Sequence, residues 1–582
     1  MAGSLAAAAY LCLLLPIVLA TVNFDTCLQQ VRNGEWGLIG GTDNSGHPVS
    51  NISTVTAITY DLCLVACGSG SEPFVWNIFS QQFSAWLLPY LALVSQLPFG
   101  AQNRLDNLVS MLLTMGSPTL AAYSLALTVL NGHWIAQRFA HLSYPNVGHA
   151  VNILSSLQQS SFHVTTDESL LASLIVLPDN DEWWSELVSW LDYIHTSTWS
   201  ISAVASILWV IIAYIFTVID SFSGVVTFSA LNANGQAVGS IFLWLLPVVV
   251  GWLQLSPWSD ATKVHQAMER ANDIARVATD GEDEKPVPAS DVSTKRAISL
   301  SKGTGEIHCD EQCMAPIYNY ARFLPWALAV ETVYYAFREA SERSDNHQTV
   351  SGNAWIKRDR NVKICAENRR GSLTQVAAYV KPTFSPSMDH DKPRSRWGSS
   401  VVSRFLLATI IAFCLTWGSI GAAILMAFFT PTKGIACRSG SYLLYGIMST
   451  IVWMLLITSS ALAHYSTFTA SFKGRYMHTK ATRTAGVLSI VCRRLGKILA
   501  TINAIWIVLV CLFQFGSFFD RCWCDSSVFY LGKRAAYNVI DVGPQDVAAL
   551  NVPWIAGVAL ASGCAVFFLG IVNLLINPAL QN

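Results

Sequence analysis

Apolar residues in this chain come in continuous blocks of about 20, the length an α-helix needs to cross a hydrocarbon core. The blocks fall at about 75–97, 108–131, 199–219, 237–255, 403–428, 442–463, 498–518 and 553–575. A membrane β-barrel would alternate apolar and polar residues in strands of roughly ten. These blocks do not alternate, so they predict helices, the only open-ended form in which lipid leaves no backbone group unpaired. Trp and Tyr collect near block ends (Trp76, Trp199, Trp252, Tyr442, Trp554), at the depth of interfacial anchors. The fold class expected is all-α: a polytopic transmembrane helix bundle of about seven or eight spans, with a small disulfide-bearing exterior region and a partly disordered polar insert. The block at 108–131 is interrupted at Gly116-Ser117-Pro118 and is the weakest span, open to a re-entrant or interfacial course.

Around the blocks the chain divides into a signal peptide at 1–20, an exterior cysteine-containing segment at 21–74, a first transmembrane half at 75–255, a polar basic insert at 256–402 and a second half at 403–582 with four spans. Residues 1–20 end in Val18-Leu19-Ala20, as signal peptidase sites do, but carry no Lys or Arg, and an uncleaved anchor is the alternative. Within the loop at 132–198, Asp179 and Glu182 open a helix near 181–194. Trp184, Leu187, Val188 and Leu191 mark its one apolar face, suited to lying on the exterior membrane surface or to packing on other loops. Residues 278–307 are disordered by composition, and 315–340 predict a helix broken around Pro325.

Charge changes this picture by assigning sides. The net charge of −1 gives no global field to draw nucleic acid. Of the 36 Lys and Arg, 20 lie in 256–402 and 7 in 464–497, and basic residues near spans stay cytosolic. That puts 429–441 and 519–552 outside. These loops carry Cys437, Cys522 and Cys524, which with Cys27, Cys63 and Cys67 make six disulfide candidates in an oxidising compartment. Asn51-Ile52-Ser53 is a glycosylation acceptor on the same side. The first half does not close: an exterior start and four early crossings return the chain to the outside at 256. The preferred repair is that 108–131 does not cross. Otherwise 313–337 crosses and takes Arg322 and Glu331 into the membrane, or the insert is exterior.

The block interiors hold no Asp, Glu, Lys or Arg, Arg404 lying near the start of one. Such groups mark proton-coupled transport, voltage sensing and aspartyl intramembrane proteolysis, so those functions are disfavoured. Gln81, Gln82, Asn503, Gln514 and Asn573 could line an uncharged polar path, although hydrogen bonding between helices is their commoner role. His308, Cys309 and Cys313, with Cys365 as a distant fourth, could give soft metal ligands, but the Cys-x₃-Cys spacing is permissive and has no second matched pair, so free thiols or one disulfide are the commoner reading. His133, His141, His149 and His163 share no helical turn. No catalytic, cofactor-binding or metal residue is assigned, and no cofactor is expected. The run Lys357, Arg358, Arg360, Lys363, Arg369, Arg370 and the trio Lys392, Arg394, Arg396 predict apposition to anionic lipids, with cytosolic protein partners as the sharper possibility.

Four segments carry a resemblance: Gln81 to Leu87 (QQFSAWL), Ser221 to Trp252, Ala315 to Trp326 (APIYNYARFLPW) and Cys437 to Gly446 (CRSGSYLLYG). They resemble a family of multi-pass integral membrane proteins of filamentous ascomycete fungi, over nearly the whole chain after the signal segment. The resemblance implies a fungal source and a membrane location. The family has no assigned activity, so it supplies no site residues. The function expected is a non-enzymatic sensor, adaptor or scaffold in the plasma membrane or an endomembrane of the secretory pathway. A transporter or channel with an uncharged polar path is the alternative, and a membrane-bound accessory of a fungal biosynthetic pathway comes third.

Overall fold

Every apolar block is helical in the computed structural model, which describes residues 21–99, 104–165, 167–194, 199–223, 229–255, 261–280, 285–300, 305–357, 364–381, 397–472, 479–526, 529 and 536–576. The signal segment and Arg358, Arg360, Lys363, Lys392, Arg394 and Arg396 lie outside those residues. In chain order, α1 (Trp76–Gln82) and α2 (Leu88–Val94) join through a π-helical turn at Phe83–Leu87. Next come α3 (Arg104–Gly116), α4 (Pro118–Phe139), α5 (Asp181–Ile194), α6 (Ile201–Ser223), α7 (Ser229–Phe242) and α8 (Leu245–Leu255). The chain continues with α9 (Asn319–Asp345), α10 (Val401–Phe429), α11 (Cys437–Phe472), α12 (Lys480–Phe515) and α13 (Pro544–Leu575). Among the described residues, six helices are long and apolar enough to cross a membrane: Ile201–Ile219, Gly235–Leu255, Val401–Phe429, Cys437–Thr467, Lys480–Phe515 and Asp546–Leu575. The chain is therefore a multi-pass α-helical membrane protein.

The interrupted block behaves differently. α3 and α4 meet at Ser117 with a bend of 100°. α4 is apolar around most of its circumference, and every residue from Pro118 to Asn131 is buried, which makes it the central helix of the bundle. It runs antiparallel to α10, with Thr119 facing Thr416 and Asn131 meeting Arg404. The start of α3 returns to the same face, since Asp106 and Ser110 lie against Tyr318, next to the α9 start. Cys437 to Ser449 and Asn503 to Phe515 are each twelve residues, about 18 Å of helix. The bend, packed on Ser449 and Asn503, thus sits near the middle of a hydrocarbon core about 30 Å thick. The pair is a re-entrant hairpin.

Two candidate spans, Ile201–Ile219 and Gly235–Leu255, separate 132–198 from 256–402, so the two segments share a face, and they fold together. The expectation that they lie on opposite sides is corrected by their pairing. Strand Phe162–Val164 runs antiparallel to Ile298–Leu300, Phe162 opposite Leu300. Arg369 forks onto both oxygens of Asp181 at 2.7 Å each. The Trp183 indole donates to Asn272 at 3.2 Å. In α5, Trp183, Trp184, Leu187 and Leu191 are buried in this unit rather than spread on a membrane surface. Nor are residues 278–307 uniformly disordered: they contain strand Val287–Pro288, paired with Arg276–Val277, a helical turn at Ala289–Val292, and Ile298–Leu300. Residues 281–284 and 301–304 lie outside the described residues. α9 is not broken at Pro325, because its neighbours Phe323 and Trp326 are buried and the Trp326 indole is tied to the Leu154 carbonyl at 2.9 Å.

At the opposite end, residues 21–74, 516–526 and 536–543 form a cap. Its sheet pairs Gly41–Thr42 with Ala57–Thr59 and Ala57–Thr59 with Tyr537–Val539, all antiparallel. Disulfides link Cys27–Cys67, Cys63–Cys522 and Cys437–Cys524, the same six cysteines that the sequence offers as candidates. Asn51 is exposed beside them at the start of a short 3-10 turn.

Candidate functional site

The hairpin bend leaves backbone groups that lipid cannot satisfy. α3 ends at the bend, and the Thr119 and Leu120 N–H groups turn to Ser449 Oγ and Ser117 Oγ, so the Met115 and Gly116 carbonyls lose their helical donors. Side chains from two neighbouring helices supply replacements. The Tyr445 hydroxyl donates to Met115 O at 2.8 Å, and Asn503 Nδ2 donates to Gly116 O at 2.8 Å and to Tyr445 O at 3.1 Å. Ser117 Oγ donates to Ser449 O at 3.2 Å, while the Thr119 N–H donates to Ser449 Oγ at 3.2 Å. Ser117, Ser449 and Asn503 are all buried, so these bonds form away from water. Gly116 permits the approach: a Cβ there would overlap the Ala500 backbone carbonyl. A second break lies in the same bundle, between α7 and α8 at Leu243–Trp244, where Trp244 sits beside the Tyr445 hydroxyl.

The polar residues singled out for a path do not converge. Asn503 belongs to this clasp; Gln514 accepts from Arg438 at the cap end at 2.9 Å. Asn573 bonds back to Leu569 O, Gln81 is exposed, and Gln82 lies against Gly235. Tyr445, Ser449 and Thr416 were missed. The Gly-Ser-Pro interruption signals that partners are needed without saying which.

A second polar cluster fastens the folded unit to the bundle. Asp310 is buried and accepts from Lys497 Nζ at 2.6 Å and from the Tyr320 hydroxyl. Arg493 approaches the same carboxylate at 3.9 Å and donates to Ile307 O at 3.0 Å. Arg404 stacks 3.9 Å from the Trp134 ring centre, and Glu331 accepts from Arg138 at 3.4 Å and from the Ser399 N–H at 3.1 Å. Arg322 is held by Gln158 O, Gln159 and Asn319 within the unit. Neither Arg322 nor Glu331 belongs to a candidate span. His308 bonds Glu311 at 2.7 Å, Cys365 is buried elsewhere, and His141 meets the Tyr334 hydroxyl at 3.2 Å. No group of three metal-type side chains converges among the described residues. Arg369 and Arg370, expected against lipid headgroups, face Asp181 and Asp179 instead.

On the cap face, Arg438 bonds Asp520, Asp525 and Gln514, and the Glu72 N–H donates to Asp520 O at 3.0 Å. Burial, and then the neighbouring Asp520 and Asp525, push the Glu72 carboxyl up from 4.5 to about 7. A raised folded-state pKa keeps the proton on longer in the folded cap than in the unfolded chain. Cap stability therefore falls as pH rises from about 4.5 to about 7 and levels off above. Thermal melting between pH 5 and pH 8 is expected to show this fall, and Glu72→Gln to flatten it; an unchanged slope in the variant would remove Glu72 as its source.

Fold and site together define a polytopic α-helical membrane protein, with a disulfide-stapled cap on one face, a folded polar unit on the other and a re-entrant hairpin between them. No family model, curated protein or solved structure matches the chain.

Proposed function

We propose that the protein is a non-enzymatic membrane receptor or scaffold, its cap exterior and its polar unit cytosolic, in the plasma membrane or an endomembrane of the secretory pathway. A fungal membrane is the setting implied by the sequence resemblance. The observation that carries this reading is the fastening of the polar unit: Asp310 ties it to α12 through Lys497 and Arg493, so the insert is a body seated on the spans rather than a loose tether. A seated body offers cytosolic partners a fixed surface and moves with the helices that lead to the cap. Most of the polar groups in the clasp are used in helix-to-helix hydrogen bonds, as a closed bundle requires.

Sidedness is the test. Glycosylation acceptors placed at the exposed positions His163 and Lys295 are expected to stay unmodified in cells, while Asn51 acquires a glycan. A mass shift at either inserted site would sink the cytosolic assignment. One observation favours a transporter instead: two interrupted helices inside one bundle are a recurrent design of solute-binding transporters. Solute uptake by proteoliposomes that is lost in Thr416→Val would replace the receptor reading.

A further inference from the structure

A cavity of about 350 Å³ opens on the polar unit between the end of α9 and the short helix Leu373–Tyr379. α9 stops where His347 takes a left-handed φ of 56° and the Gln348 N–H turns back to Arg343 O at 2.9 Å. A turn over Thr349–Gly352 follows, closed by the Gly352 N–H on Thr349 O at 3.4 Å, and Gly352 takes a φ of 78°. The facing wall starts at a capping box between Ser372 and Gln375. Bonds between the walls brace the space. The Tyr379 hydroxyl donates to Gln348 O at 2.9 Å, and Arg343 donates to Lys381 O at 2.7 Å and to Ala378 O.

We propose that this cavity binds a small phosphate monoester of a polyol, of which inositol and hexose phosphates are the type. Its lining brings one cation, Arg343, and no acid. The acids flanking Arg343 on α9 are engaged elsewhere: Asp345 accepts from Ser143 at 2.8 Å, and Glu342 meets Arg338 at 3.5 Å. The Arg343 guanidinium, 5.6 Å from the Tyr379 ring centre, is held in place by the carbonyls it bonds. The turn adds donors. Neither the Ser351 N–H nor its hydroxyl closes a hydrogen bond among the described residues. A turn ahead of a left-handed residue arranges such N–H groups into an anion-binding concavity. The Gln375 side-chain oxygen accepts from the Ser372 N–H at 2.9 Å, and its amide nitrogen is unused among the described residues, as is the whole Gln348 carboxamide. Three phosphate oxygens accept from several directions, which suits scattered donors better than a planar carboxylate does. The volume lies in the range of small-molecule sites and exceeds what a bare phosphate fills, so the two carboxamides are left to the polyol hydroxyls. The site deepens the receptor reading, and rests on it only for the compartment in which the ligand is met.

Calorimetry on full-length protein in phosphatidylcholine nanodiscs reads the site whichever side of a cell membrane the unit occupies, so this proposal and the cytosolic assignment fail separately. Free myo-inositol 4-phosphate is expected to bind saturably, and unphosphorylated myo-inositol to bind roughly tenfold more weakly or not at all. Gln348→Glu places a negative charge in the cavity and leaves the main-chain bond to Tyr379 in place; it is expected to weaken binding roughly tenfold. Ser351→Asp repeats the test from the turn, in case the first variant does not fold. Vesicles carrying phosphatidylinositol 4-phosphate separate the sources. Retention on them assigns the site to a lipid headgroup, and saturation by the free ester without retention assigns it to a soluble metabolite. Undiminished binding in both variants, equal binding of unphosphorylated inositol, or no binding of either source would overturn the proposal.

Discussion

Gly116→Val is expected to prevent the membrane bundle from assembling, while leaving the chain able to insert. The hairpin bend lies backbone to backbone against Ala500 of α12, and even a single methyl at residue 116 would occupy the Ala500 carbonyl. A flexible side chain could swing away from such a clash. A helix backbone in mid-membrane cannot, because moving it breaks the bonds that Asn503 and Tyr445 make to Gly116 O and Met115 O. Overpacking alone costs about 1–3 kcal/mol and sometimes more, and each buried carbonyl left unpaired adds about 1–3 kcal/mol. The sum takes up a large part of the stability of an ordinary domain. The measurement is a melting profile of detergent-purified protein, with size-exclusion behaviour as the check on assembly. A Gly116→Val protein that melts within a few degrees of the parent would show that the hairpin does not hold α12 as described. Asn503→Leu is a milder form of the same experiment, removing two hydrogen bonds without a clash.

Asp310→Ala is expected to release the polar unit from an otherwise intact bundle. Lys497, Arg493 and Tyr320 all converge on this one buried carboxylate, and its removal leaves two cations near the membrane border without their counter-charge. Breaking a buried pair from one side costs about 3–5 kcal/mol. Limited proteolysis from the unit's side should then cut near 305–313 in the variant and spare the parent, while the cap disulfides stay formed. Lys497→Met placed on top of Asp310→Ala should recover part of the loss, because it removes a stranded charge. If the double variant is as labile as the single one, the contact at Lys497 is not what seats the unit.

The spans and the paired cysteines could be read from the sequence because both leave local or additive signals. Continuous apolar length reports a helix, and the sorting of Lys and Arg reports a side without knowledge of any contact. The re-entrant course was readable at Gly116-Ser117-Pro118, where one proline and one glycine forbid a straight helix. The polar unit was not readable, because its strands are two or three residues long and one of its two pairings joins residues more than a hundred apart, Phe162 with Leu300. The acids of 132–198 report no side, because Asp181 and Asp179 are there to meet Arg369 and Arg370 of the insert. Charges that neutralise each other within a folded unit no longer report which side of the membrane they occupy. The clasp partners Tyr445 and Ser449 were invisible for a similar reason: a hydroxyl in a span looks the same whether it bonds its own helix or another.

The bond between Cys63 and Cys522 sets a schedule for biosynthesis. Its two halves are 459 residues apart, so the cap segment at 21–74 cannot be completed until the loop before α13 has been made. The strand Ala57–Thr59 waits as well for Tyr537–Val539. Through most of synthesis, Cys63 must stay reduced or be held in a temporary partnership, with Cys27 and Cys67 close at hand as wrong choices. A chain stalled before α12 has been made would therefore carry an open cap, which is a chemical difference between a finished molecule and an unfinished one.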